Sequence, residues 1–164
     1  MAIERDRVAP LDELDNFEVA DGDPDVRGWE VLGADGRKIG EVDDLLVDTA
    51  AMKVRYLDVD LDDDLLPEAG TDRHILIPIG CARLDENDNQ IFVDTLNAST
   101  VGTIPGYAHQ PITRDYETEL RTYFDRGYTG GAPAATDFYA HDLYDRGPQL
   151  EVRTRAAVTP AQRP

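Results

Sequence analysis

Val54-Arg55-Tyr56-Leu57-Asp58-Val59-Asp60-Leu61-Asp62 carries the clearest pattern in the chain. From Leu57 onward the period is two, with Leu57, Val59 and Leu61 alternating against Asp58, Asp60 and Asp62. This is the pattern of a β-strand with its apolar side in a core and its acid side in water.

Strand and turn signals continue on both sides of it. Upstream, Trp29-Glu30-Val31-Leu32 reads as a short strand, and Gly33-Ala34-Asp35-Gly36 supplies the turn chemistry of a hairpin. Ile39 to Asp48 follows, with Gly40 expected at a bulge or a close backbone contact, and Thr49 to Met52 makes a second turn. Downstream, Asp62 to Gly70 reads as an acidic loop and Arg73 to Ile79 as a buried strand. Cys81 to Leu84 extends that strand, and Gln90 to Asp94 closes the set after a polar turn. Short strands with a turn every ten or so residues predict a small β-barrel or sandwich. Trp29, Val31, Ile39, Val42, Leu57, Val59, Ile77 and Phe92 are its expected core.

The ends read differently. Residues 1–24 form an N-terminal arm in which Leu11, Leu14, Phe17 and Val19 stand as apolar anchors among acids, free to pack on the barrel or on a partner. After residue 112 the period changes. Thr113 caps an expected helix from about Arg114 to Phe124, and Asp115 and Glu117 suit its positive end. Tyr116, Leu120, Tyr123 and Phe124 make one apolar stripe for packing on the barrel. The domain order is thus arm 1–24, barrel 25–112, helix 113–127 and extended tail 128–164. The tail has too few apolar groups for a core, and its aromatics Phe138, Tyr139 and Tyr144 are spaced as anchors for a partner. Deleting it is expected to leave the barrel's stability nearly unchanged.

A chain of 164 residues fits one domain with extensions. Its net charge is −18, and residues 127–164 balance four acids with four arginines, so the excess lies in residues 1–126. Such a surface repels phosphate and anionic head groups, which argues against nucleic acid and lipid as direct ligands. The N-terminus lacks the apolar stretch of a secretory signal, and no window approaches the about 18 apolar residues of a membrane span. The expectation is a cytoplasmic protein, held at a membrane only through partners.

Little in the sequence points to catalysis. The lone Cys81, in an apolar run, excludes an internal disulfide and reads as a small buried hydrophobe. There is no phosphate loop and no nucleophile elbow. His74, His109 and His141 stand far apart without metal-ligand spacing, and Asp62-Asp63-Asp64 with Glu68 lacks the spacing of a calcium loop. No metal site and no enzyme activity are expected.

The order of these elements carries a resemblance. Val26-Arg27-Gly28, the run from Gly36 to Asp48, Arg55-Tyr56-Leu57-Asp58-Val59 and the Ile77-Pro78 strand resemble the PRC-barrel family. Within it they are most similar to the cytoplasmic domain of the photosynthetic reaction centre H subunit, over residues 24–127. The resemblance implies a non-catalytic cap on membrane-embedded L- and M-type subunits, with bacteriochlorophyll and quinone held by that partner complex and none by this chain. It places Asp48 and Arg55 on the side facing the secondary quinone, as candidates for a proton route. Asp58 and Asp60 are added to them as an outer antenna. Ala51 stands where the H subunit carries a second acid, and the H subunit's N-terminal membrane helix has no counterpart. The alternative the resemblance allows is a stand-alone soluble adaptor binding another protein.

Overall fold

A computed structural model describes residues 8–14, 17–20, 23–62, 65, 73–96, 101, 104–108, 112–124 and 150–154. Among them are ten strands and one α-helix. The strands are β1 (Val8–Pro10), β2 (Phe17–Val19), β3 (Glu30–Gly33), β4 (Lys38–Asp48) and β5 (Lys53–Leu61). They continue as β6 (His74–Pro78), β7 (Ala82–Asp85), β8 (Gln90–Val93), β9 (Gly106–Tyr107) and β10 (Val152–Thr154). The helix is α1 (Arg114–Phe124).

One sheet runs β7-β8-β3-β4-β5-β6-β9, with β1 added to the far end of β4. Its pairs are antiparallel except β3–β8. Among the described residues the ladder is left open between β7 and β9. The result is the expected small, mainly β domain with one helix, which follows the strands of this sheet.

The long β4–β5 hairpin organises the core. Val42 pairs with Val59, Leu45 with Leu57, and Leu57 in turn with Ile77 on β6. Residues directly opposite in a ladder share a face, so these side chains stack into one apolar layer, and all are buried. Gly40 makes the close approach expected of it. A Cβ there would fall inside van der Waals contact of the Asp60 carbonyl oxygen. Gly36, at φ 78°, turns β3 into β4, and its N–H donates to the Gly33 carbonyl.

Two of the eight expected core residues are corrected to half-buried, Trp29 and Phe92. Trp29 precedes β3 in a turn, where its N–H donates to the Val26 carbonyl. Phe92 alternates with buried Ile91 and Val93, so it lies on the outer face, where the Arg83 guanidinium sits 4.9 Å above its ring centroid.

The helix forms as its sequence requires. Thr113 Oγ1 accepts from the Tyr116 N–H at 3.1 Å, the capping bond. Tyr116, Leu120 and Phe124 are buried and Tyr123 is partly so. The arm folds back on the sheet. β1 pairs with β4, Leu11 is buried, and Leu14, Phe17 and Val19 pack against the core.

Part of the expected tail belongs to this body. β10 pairs with β2, the Val54 N–H donates to the Leu150 carbonyl, and the Val152 N–H donates to the Met52 carbonyl. Leu150 and Val152 are buried. The tail expected over residues 128–164 is thus corrected for residues 150–154, which join this body through β10 and two buried side chains.

Candidate functional site

Two polar clusters mark the sheet, and each sits at an irregularity of the β4–β5 ladder. The first lies at the hairpin end. The register shifts between Leu46 and Val47, whose partners are Tyr56 and Val54, so Arg55 is left as the extra residue of a bulge. Its guanidinium donates to Asp48 Oδ2 from Nε at 3.2 Å and from Nη2 at 3.1 Å. Asp48 Oδ1 accepts from the Ala50 and Ala51 N–H groups, each at 3.1 Å. Both side chains are buried. Asp48 thus ties the turn to the strand that returns from it, and exposed Ala51 contributes its backbone N–H.

The second cluster lies between the sheet and the elements that cover it. The register shifts again between Val42, opposite Val59, and Asp44, opposite Asp58. Asp43 is the extra residue, and the bulge brings both Asp43 and Asp44 beside Asp58. Asp58 is 1% exposed and its Oδ1 lies 2.7 Å from His74 Nδ1. Asp60 is exposed, with Oδ1 4.0 Å from His74 Nε2. The reading of Asp58 as a solvated acid is corrected. Its face of β5 is the outer one, but β9 and His74 of β6 enclose it.

Electrostatics record the crowding. Burial pushes Asp44 up to about 6, with the fields of Asp12 and Asp58 adding, against hydrogen bonds from the Leu45 and Asp12 N–H groups. For His74, burial works against the charged ring. The hydrogen bond to Asp58 and the fields of Asp58, Asp60 and Asp43 outweigh it and hold the imidazole above its ordinary value. Tyr107 and Tyr116 are raised by burial first, with Asp58 contributing to both. Further along the same layer, Tyr56 donates to Glu117 Oε2 at 3.1 Å, and Arg114 Nη1 lies 3.6 Å from Glu117 Oε1.

The four proton-route candidates therefore divide between two places, Asp48 with Arg55 at the turn and Asp58 with His74 at β6, with Asp60 on the exposed rim. Sequence reasoning missed Asp43, Asp44, His74 and Glu117, because their convergence depends on a bulge and on long-range pairing. Phe138, Tyr139 and Tyr144 lie outside the described residues. Cys81 is partly buried, and burial pushes its thiol up to about 12, which suits a packing residue and not a nucleophile. No helix among the described residues is long and apolar enough to cross a membrane.

The described residues thus form a small β-sheet domain with one helix packed on it and buried polar pairs along its central hairpin. The family model for the PRC-barrel domain matches residues 18–99, and the chain belongs to that family. The matched span runs from β2 through β8 and includes both clusters. β9, α1 and β10 lie beyond it.

Proposed function

We propose that this chain is a non-catalytic protein-binding subunit that caps a membrane-embedded complex of the photosynthetic reaction centre type from the cytoplasmic side. The carrying observation is the buried Asp48–Arg55 pair. These are the two positions at which the resemblance to the H subunit places an acid and a base facing the secondary quinone, and here they form one bonded unit. The acidic excess supports a protein partner over nucleic acid or anionic lipid. On this reading the partner holds the bacteriochlorophyll and quinone, and this chain supplies packing and carboxylates near the surface. On this reading Asp44, which burial lifts to about 6, is a further candidate to exchange protons near neutral pH.

The reading is tested by purifying the native protein and identifying the chains that accompany it. Recovery with pigmented membranes and L- and M-type subunits supports it. In such membranes Asp48→Asn is expected to slow flash-induced proton uptake linked to the second electron transfer, with charge separation unchanged. Unchanged uptake leaves a structural cap.

One observation favours a second reading, a stand-alone adaptor for another soluble protein. The arm residues of β1 and β2 close on β4 and β10 of the chain's own body and do not reach outward. Recovery in the soluble fraction, with no quinone-reducing complex, selects this reading.

A further inference from the structure

The cluster at the β4 bulge poses an electrostatic problem that the protein-binding role does not use. Asp43, Asp58 and His74 come from three adjacent strands, and one ligand atom of each lies within 4.8 Å of the others. Asp60 approaches the same imidazole, and Asp44 lies directly opposite Asp58. Like charges facing each other across a ladder are destabilising. A regular strand would turn Asp43 away from Asp44, but here the bulge adds a second carboxylate beside a buried one. His74 thus stands among several carboxylates, with Asp58 in hydrogen-bond contact and Asp43 and Asp60 close by.

We propose that Asp43, Asp58 and His74 bind a divalent first-row transition cation of the zinc or manganese class. The donor set is chemically suited to it. Donors held at about 2.0–2.2 Å on one such ion lie about 3.0–3.6 Å apart. The Asp58–His74 pair, at 2.7 Å, needs to open by about 0.3–0.9 Å to reach that spacing. Asp43 is exposed and its side chain can swing in to close the set, leaving the solvent side for water. An imidazole with two carboxylates favours zinc, manganese, cobalt or nickel over magnesium and calcium, which prefer all-oxygen sites. The bound ion adds positive charge among the carboxylates and cross-links β4, β5 and β6. The site stands whatever protein the chain binds.

The test is calorimetric titration of the chelator-treated full chain with zinc, manganese, magnesium and calcium chlorides, on wild type, Asp43→Asn, His74→Gln and Asp94→Asn. Asp43 is exposed, so its variant keeps the fold. Asp94 is an exposed acid beyond β8 and serves as the control. The expected result is one zinc or manganese ion per chain and affinity at least tenfold weaker in Asp43→Asn and His74→Gln. Asp94→Asn is expected to be unchanged. Binding at pH 6.5 should also release a proton, read from two buffers of different ionisation enthalpy, and shift the His74 ring nitrogens in NMR. Three results overturn the proposal: no saturable binding, binding that survives both site variants, or binding that Asp94→Asn weakens as much as Asp43→Asn does.

Discussion

The Tyr56 hydroxyl of β5 donates to Glu117 Oε2 of α1 at 3.1 Å, and both side chains are buried. This bond fastens the helix to the outer face of the sheet from within the polar layer. A carboxylate taken out of water needs such partners, and losing one costs more than the bond itself contributes. Tyr56→Phe keeps the ring's packing and removes only the donor. It is expected to destabilise the fold by about 1–3 kcal/mol in urea denaturation. Glu117→Gln, which keeps an acceptor in place, should cost less. Equal costs would show that the hydroxyl is not what holds the helix.

Gly40 has no room for a side chain. It pairs with Val31 on one side and Leu61 on the other, and an added Cβ meets backbone atoms of Asp60, which cannot rotate away. Gly40→Ala must therefore push β4 and β5 apart, at a cost of about 3 kcal/mol or more, the upper end for overpacking. Gly36→Ala meets no atom but is held at φ 78°, so its expected cost, about 1 kcal/mol, comes from the backbone alone. Thermal unfolding of the two variants should rank them in that order.

Much of the fold could be read from residues with local causes. The alternation of Leu57, Val59 and Leu61, the turn at Gly36 and the Thr113 cap each follow from neighbours in sequence, and Gly40 marked its close approach by residue type alone. Asp58 could not be placed this way. A period of two says which face a residue is on, and not whether β9 and a neighbouring histidine cover that face. The convergence of Asp43, Asp58 and His74 was hidden for a related reason. A bulge adds one residue to a strand without changing its composition, so counting by twos misassigns every side chain beyond it. The β2–β10 pairing joins two three-residue strands from opposite ends of the chain, too short to leave a pattern.

The crowded carboxylates give the protein an unusual pH response. Asp44 keeps its proton to about pH 6 in the folded chain, against an ordinary value of 3.8. Between those limits the folded state binds more protons, so stability falls as pH rises. His74 acts in the same direction at higher pH. Its contribution is complete below its ordinary value of 6.5 and is lost as pH rises through its raised folded value. Wild type should be more stable at pH 5.0 than at pH 7.5 in denaturant titrations. Asp44→Asn keeps acceptors for the Leu45 and Asp12 N–H groups, so it should remove about 1 kcal/mol of that difference, mainly by stabilising the protein at pH 7.5. An unchanged pH slope in Asp44→Asn would assign the response to other groups.

At β10, segments from the N-terminal and C-terminal parts of the chain meet beside the main sheet. β10 pairs with β2, and the Leu150 carbonyl and Val152 N–H bond to Val54 and Met52, on the two sides of Lys53 where β5 leaves the turn flanked by Asp48 and Arg55. Leu150 and Val152 are 4% exposed, so both side chains leave water on folding. Burying each stabilises by about 1.5–3 kcal/mol relative to exposure. A chain truncated after residue 149 should therefore unfold at a clearly lower urea midpoint, and Leu150→Ala alone should cost about 2 kcal/mol, the low end for a core truncation at the edge of the body. The loss should also reach the arm, because β2 is left without its β10 partner. Amide exchange at Phe17–Val19 and at Val54 is expected to rise together in the truncated chain, while Leu57 and Val59 at the sheet centre stay protected. A truncated chain with the wild-type midpoint and protected Val54 would show that the barrel closes over its turn without help from residues 150–154.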